Sequence, residues 1–293
     1  MKILSWNARG LGNPTAFRHL KLLVRQLSPQ VLFLMETRLG SYSISKFRHS
    51  LQFNNGLESP RVGLSGGLML LWKDNINVSL NVFGPTYFDS FLSIDDGPTF
   101  HFTAFYGAPA ASNRSSSWTL LQRLNDIAPT MPWLVTGDFN EILSQSDKYG
   151  GPLRNESQIE AFRKALDHYH LHDLPYDGDR FTWVKNRTAI STTKERLDWV
   201  FTNHLWNSCF DTPTVSHLDF FSSDHRTVDA IVAPLNTAAS SHRQRSRFRF
   251  EKLWLVDPES KDIITACWSH GSHSDPISSI IHKLESCATS LQQ

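Results

Sequence analysis

Five apolar runs in this chain end on, or run straight into, a carboxylate, an amide or an imidazole. Ile3, Leu4 and Trp6 lead to Asn7; Val31 through Met35 lead to Glu36; Trp133, Leu134 and Val135 lead to Asp138 and Asn140. Leu197 and Trp199 flank Asp198, and Phe220 and Phe221 precede Ser223, Asp224 and His225. A short run of apolar, β-branched and aromatic residues predicts a buried strand, and a polar group at its end projects from the sheet rim, where loops collect functional side chains. Between the first two runs, residues 16–27 place Phe17, Leu20, Leu23, Val24 and Leu27 at helical spacing, after Pro14 and before Ser28 and Pro29. A strand, a helix and a second strand therefore open the fold.

After Gly66 and Gly67 the pattern shortens. Residues 68–72, 76–83, 88–94 and 99–105 are β-rich runs separated by Asp, Asn, Gly and Pro, and they predict an antiparallel meander. Helical patterns return at 116–127 and 156–169, the latter carrying Ile159, Phe162, Leu166 and Tyr169 on one face. Further short strands are expected at 181–184, 197–201 and 228–232. Strand-rich halves with interspersed helices predict an α/β fold: a four-layer sandwich of two packed, mostly antiparallel mixed sheets flanked by helices. This domain is expected to span 1–233. Residues 234–293 are expected to form a linker and a short helical tail, with basic and aromatic residues alternating over 243–250 and a weak amphipathic stretch at 277–291.

Composition narrows the partners. Lys plus Arg total 29 against 28 Asp plus Glu, a formal charge of +1, so contact with a polyanion has to be local. Cys209, Cys267 and Cys287 are far apart, odd in number and without a CxxC spacing, which argues against a disulfide framework or a zinc knuckle and for a reducing compartment. The N-terminal apolar stretch is broken by Asn7 and Arg9, too early for a signal peptide, and no run approaches the roughly 20 apolar residues of a membrane span. An intracellular protein with no membrane partner is expected.

The strand ends themselves carry the chemistry. Glu36, Asp138, Asp198 and Asp224, with the amides of Asn7 and Asn140 and the imidazole of His225, suit metal-assisted phosphoester hydrolysis, because magnesium takes hard oxygen ligands and keeps several waters. A histidine held by a carboxylate on one nitrogen stays charged and can donate to a phosphate through the other. Each piece alone has a plainer reading. Asn7 and the segment Asp138 to Asn140 could cap turns, Glu36 could form a surface ion pair, Asp224 and His225 could be a helix cap and a surface histidine, and Tyr106 could be a half-buried tyrosine. His168, His170 and His172 are two apart at the end of a helix, a spacing that does not bring them to one face.

Taken in order, the pieces resemble the exonuclease/endonuclease/phosphatase superfamily, which includes deoxyribonuclease I and the apurinic/apyrimidinic endonucleases. The resemblance covers roughly residues 1–233 and is carried by Ser5-Trp6-Asn7-Ala8-Arg9-Gly10-Leu11-Gly12, Glu36-Thr37-Arg38, Ser65-Gly66-Gly67-Leu68, Gly137-Asp138-Phe139-Asn140, Phe181-Thr182-Trp183, Arg196-Leu197-Asp198 and Ser223-Asp224-His225. In detail these look like the endonuclease domain of plant LINE-type non-LTR retrotransposons. The resemblance implies that Glu36 is the principal magnesium ligand (Mg2+, with Mn2+ able to substitute), with Asn7 and Asp224 nearby. Asp138 would position or deprotonate the attacking water, Asn140 would orient Asp138 and contact the phosphate, and Tyr106 would hydrogen-bond a phosphate oxygen. Asp198 would orient and charge His225, and a second metal position would draw on Asp138, Asn140 and His225. Thr182 matches a position near the DNA backbone, and Ser223 would support the turn at Asp224.

Phe248 to Trp254 resembles the linker that joins the endonuclease to a reverse transcriptase in such elements. No reverse transcriptase follows in this sequence, so a truncated, retrotransposon-derived protein is expected. The leading expectation is a magnesium-dependent DNA endonuclease that nicks one strand, which would work in the nucleus. A phosphomonoesterase or lipid-phosphate phosphatase of the same superfamily shares every catalytic residue. A non-catalytic nucleic-acid-binding remnant is the third reading.

Overall fold

The computed structural model describes residues 1–94, 97–185, 192–235 and 258–269, with residues 279, 280, 283, 284, 286, 287 and 290. The basic and aromatic run at 243–250, the linker-like segment ending at Trp254 and most of the amphipathic stretch 277–291 lie outside the described residues. The chain divides into two units, Met1–Leu235 and Asn236–Gln293. Among the described residues, no helix is long and apolar enough to cross a membrane.

In the first unit the strands are β1 (Lys2–Asn7), β2 (Val31–Met35), β3 (Asn55–Ser59), β4 (Leu68–Trp72), β5 (Ile76–Gly84), β6 (Tyr87–Ile94), β7 (Phe100–Tyr106) and β8 (Trp133–Asp138). They continue as β9 (Lys148–Tyr149), β10 (Leu171–Asp173), β11 (Tyr176–Gly178), β12 (Trp183–Lys185), β13 (Thr193–Glu195), β14 (Asp198–Asn203), β15 (Thr214–Phe220) and β16 (Arg226–Ile231). The helices are α1 (Pro14–Leu27), α2 (Ile44–Leu51), α3 (Arg114–Asn125) and α4 (Glu156–His168), and the second unit carries α5 (Pro258–Ser269). One sheet has the order β11-β15-β16-β1-β2-β4-β3, a second β10-β14-β8-β7-β6-β5, and a small third β12-β13-β9. Pairing is mostly antiparallel; β1 with β2, β7 with β8 and β11 with β15 are parallel.

Alternation within the strands explains the layers. Ile3, Phe33 and Met35 of the first sheet pack against Phe88, Phe102, Leu134 and Val200 of the second. The intervening Leu4, Trp6, Leu32 and Leu34 pack outward on Leu20, Leu23 and Phe47 of α1 and α2. On the far side, Phe105, Val135 and Phe201 meet Trp118 and Leu121 of α3 and Phe162 and Leu166 of α4. Both faces of the central strands are covered, which is why they read as nearly unbroken apolar runs. The four-layer architecture is the one expected. Helix α1 starts two residues before its apolar pattern, because the Asn13 side chain accepts the amide of Thr15 and Pro14 is already set to helical φ at the first position.

Two details differ from expectation. The meander is β5, β6 and β7 only; β4 belongs to the first sheet, between β2 and β3. Its apolar residues serve both faces, Leu68 and Leu70 facing the inter-sheet core and Met69 and Leu71 the helices, and only an interior strand offers both. The run ending at His225 begins on the last residue of β15, and its polar residues lie in the turn between β15 and β16 and not on the strand itself.

A buried histidine in β15 makes acid stability measurable. Burial pushes His217 down to about 4, with Arg196 and Arg226 adding to the effect and the Asp179 carbonyl and Asp198 opposing it. Its folded pKa lies below the unfolded one, so the unfolded chain takes the proton first. The stabilisation is complete above about pH 6.5 and is lost as pH falls from there toward 4, by roughly 3 kcal/mol. Urea denaturation of His217→Gln should show a flatter pH dependence across that window than wild type. An unchanged slope would place the acid sensitivity elsewhere.

Candidate active site

The expected strand ends converge on one rim. Asn7 closes β1, Glu36 follows β2, Tyr106 closes β7, Asp138 closes β8, Asp198 opens β14, and Ser223, Asp224 and His225 form the turn before β16. Sheet register sets Asp138 beside both Tyr106 and Asp198. The two sheets are joined at this rim by the Asn7 amide, whose Nδ2 donates to Asp138 Oδ2 at 2.9 Å. Arg9, Glu36, Arg38 and Asn140 all have left-handed backbone, with φ between 46° and 56°. Such strain in side-chain-bearing residues persists only where the surroundings enforce it, and it collects at functional sites.

One half of the site is a proton-handling chain. His225 lies between two carboxylates, with Nδ1 2.9 Å from Asp198 Oδ2 and Nε2 3.7 Å from Asp138 Oδ2, and is 2% exposed. Burial alone would discharge the imidazole, but Asp198 and Asp138 together outweigh it and hold its pKa up at about 9. Burial likewise pushes the Asp138 carboxyl up, against the pull of His225 and of its two donors. Those donors are the Asn7 side chain and the backbone amide of Asn140, the latter at 2.9 Å from Oδ1. A carboxylate raised toward neutrality and fixed at both oxygens is suited to take a proton from water, and a charged imidazole beside it to donate one hydrogen bond to an anion.

The other half is an oxygen cluster. Glu36 Oε1 accepts the Tyr106 hydroxyl at 2.5 Å, and Oε2 lies 3.3 Å from the Arg38 guanidinium and 3.7 Å from Arg9 Nε. Asp224 Oδ1 is 3.4 Å from the same Arg9 nitrogen, and its Oδ2 accepts the Trp183 indole at 3.0 Å. Burial and the carboxylates of Asp138 and Glu36 raise the Tyr106 pKa, so the phenol remains a donor. Two carboxylates and an amide carbonyl, all oxygen, fit a hard divalent cation. Among the described residues Asp138, Asp198 and His225 also lie within ion-holding distance of one another. The second metal position expected from Asp138, Asn140 and His225 shares Asp138 and His225 with that group.

Three other expectations are refined. Asn140 holds Asp138 through its backbone amide, while its side-chain Nδ2 donates to the Gly107 carbonyl at 2.9 Å. Thr182 is fully buried, and its hydroxyl accepts the amides of Leu197 and Asp198, each at 3.0 Å. Thr182 therefore positions Asp198 from behind instead of facing a DNA backbone. Ser223 supports the turn as expected, donating to the Asn7 carbonyl at 2.6 Å and accepting the His225 amide at 3.1 Å. Sequence reasoning missed Arg9 and Arg38 as site residues. Each stands two positions after a strand-end ligand, Asn7 and Glu36, and that repeated spacing is the signal that could have found them.

Comparisons with known proteins show the family and the fold. Residues 4–225 match the Endonuclease/Exonuclease/phosphatase family. No match is found among curated protein sequences. The fold resembles that of a 3' phosphatase, NExo, from Neisseria, solved bound to a product DNA hairpin: TM-score 0.60, 17% identity, 80% of this chain and 99% of that one. It also resembles the endonuclease domain of TRAS1, a telomere-specific non-LTR retrotransposon, with TM-score 0.59, 15% identity, and 79% and 97% of the two chains. The AP endonuclease LMAP from Leishmania major is similar at TM-score 0.59 and 16% identity over 78% of this chain and 86% of that one. Sequence match, layered fold and converging strand ends agree: the chain belongs to the endonuclease/exonuclease/phosphatase family of hydrolytic nucleases and phosphatases.

Proposed function

We propose that the protein is a magnesium-dependent DNA endonuclease that hydrolyses a phosphodiester bond and leaves a single-strand nick. The observation that carries this reading is the Asp198–His225–Asp138 chain standing directly beside the Glu36, Asn7 and Asp224 oxygens. Glu36, Asn7 and Asp224 would hold the metal, which when bound neutralises phosphate charge and stabilises the leaving oxygen. Asp138 accepts the proton of the attacking water, kept in place by Asn7 and the Asn140 amide. His225, charged by Asp198, donates to the phosphate, and Tyr106, on the other side of Asp138, holds Glu36 through its hydroxyl.

DNA as substrate is supported by the rim. Arg9 and Arg38 are half-exposed there. The hairpin at Val62 and Ser65 is pinned to the same loop by Arg38 N to Gly66 O and Arg61 N to Leu39 O, and it carries Val62 and Leu64 into solvent. Guanidinium groups and protruding apolar side chains are what a protein presses onto a phosphate backbone and a minor groove. The solved DNA complex of the Neisseria phosphatase points the same way, and the sequence motifs suggest a retrotransposon-derived origin.

The reading is tested on supercoiled plasmid. Open-circular product should accumulate with magnesium or manganese and vanish with excess EDTA. Hydrolysis of p-nitrophenyl phosphate without plasmid nicking would move the assignment to a phosphomonoesterase. Inactivity on both, with the protein folded by circular dichroism, would leave only a nucleic-acid-binding remnant.

A further inference from the structure

Arg9 stands between the two carboxylates assigned to the metal. Its Nε is 3.7 Å from Glu36 Oε2 and 3.4 Å from Asp224 Oδ1, while its side chain stays 42% exposed and so within reach of a ligand. The placement is built in: Arg9 adopts left-handed backbone at φ 50°, Gly10 follows at φ 113°, and the Arg9 amide donates to Asn7 Oδ1. A guanidinium cannot discharge in a protein, so Arg9 is a fixed cation on the oxygens that a divalent ion would use. It is also a planar fork that matches phosphate oxygens better than a point charge does. Arg38 differs in the decisive respect, since among the described residues it pairs with Glu36 and does not bridge to Asp224.

We propose that Arg9 is a substrate-responsive latch on the metal site, an inference that rests on Glu36 and Asp224 being the metal carboxylates. In the free protein the guanidinium spans both carboxylates and holds metal affinity down. A DNA phosphate draws it away, which frees the two oxygens and adds a contact to the substrate. Metal and DNA then bind cooperatively, and by linkage each raises the affinity for the other by the same factor.

The test is calorimetric titration of manganese into the full chain, comparing wild type with Arg9→Gln, Arg38→Gln and Glu36→Gln, together with the KM for plasmid nicking. Arg9→Gln should bind manganese about tenfold more tightly and raise the KM for DNA by a similar factor. Arg38→Gln should tighten manganese binding much less. Unchanged or weaker manganese binding by Arg9→Gln overturns the latch, and so does an equal gain in Arg38→Gln, which would make the effect one of local charge and not of bridging. If Glu36→Gln binds manganese as well as wild type, the metal assignment and the latch fall together. If Glu36→Gln loses binding and Arg9→Gln gains none, the latch alone falls. Thermal melts of the four proteins show whether each is folded, and exposed Arg9 should tolerate the change.

Discussion

Asp138→Asn and His225→Ala should each slow plasmid nicking about a thousandfold, and the double variant should be little slower than either. Asparagine keeps the shape of the side chain at Asp138 but cannot accept a proton, so the water is no longer activated. His225→Ala removes the cation that both buried carboxylates share, leaving Asp138 and Asp198 close together without their common partner. Groups that act as one unit fail as one unit, which is why the losses should not add. The loss should appear in kcat as well as kcat/KM, because proton transfer belongs to the transition state. Asp198→Asn provides a directional check. Asp198 is the larger of the two carboxylate influences that keep His225 charged at about 9, so its removal lowers that pKa, and the deficit should widen as pH rises from 6 to 8. Retention of more than about a tenth of the activity by Asp138→Asn would remove it from the role of base.

Much of this was legible in the sequence for a simple reason. Strands covered on both faces have to be apolar throughout, so Val31–Met35 and Trp133–Asp138 announced themselves, and their polar termini announced the rim. What pattern could not supply was the neighbour of each strand. Leu68–Trp72 reads equally well as a meander strand or as an interior strand of the other sheet, because pairing is decided across long sequence separations. For Thr182, the family resemblance alone implies a position near the DNA backbone. Its burial depends on the chain at Leu197 and Asp198 turning its amides inward, which no local signal encodes. Arg9 and Arg38 were passed over since a net charge of +1 concealed two cations concentrated beside one carboxylate.

Gly137→Ala should cost the fold itself. Gly137 sits in β8 directly opposite Phe105 of β7, and an added Cβ would lie 1.8 Å from the Phe105 carbonyl oxygen, with the backbone already at φ 148°. That obstacle is main chain inside a parallel strand pair, one position from its end, so no side-chain rotation relieves it. The two strands would have to part, and β8 is held on its other edge by β14 as well. Separation would break the alignment of Tyr106, Asp138 and Asp198, since all three take their places from these registers. A penalty above about 4 kcal/mol is expected, which lowers Tm by roughly 10 °C or more in a domain of this size, or leaves no soluble protein. Gly40→Ala is the matched control, because a methyl group added there would meet nothing within 4 Å, and it should melt with wild type. The contrast with Asp138→Asn, one residue away, separates the two functions of this segment: Asp138→Asn should fold and fail to cut, whereas Gly137→Ala should fail to fold. A Gly137→Ala protein melting within about 2 °C of wild type would mean that β7 and β8 tolerate a wider spacing than their register implies.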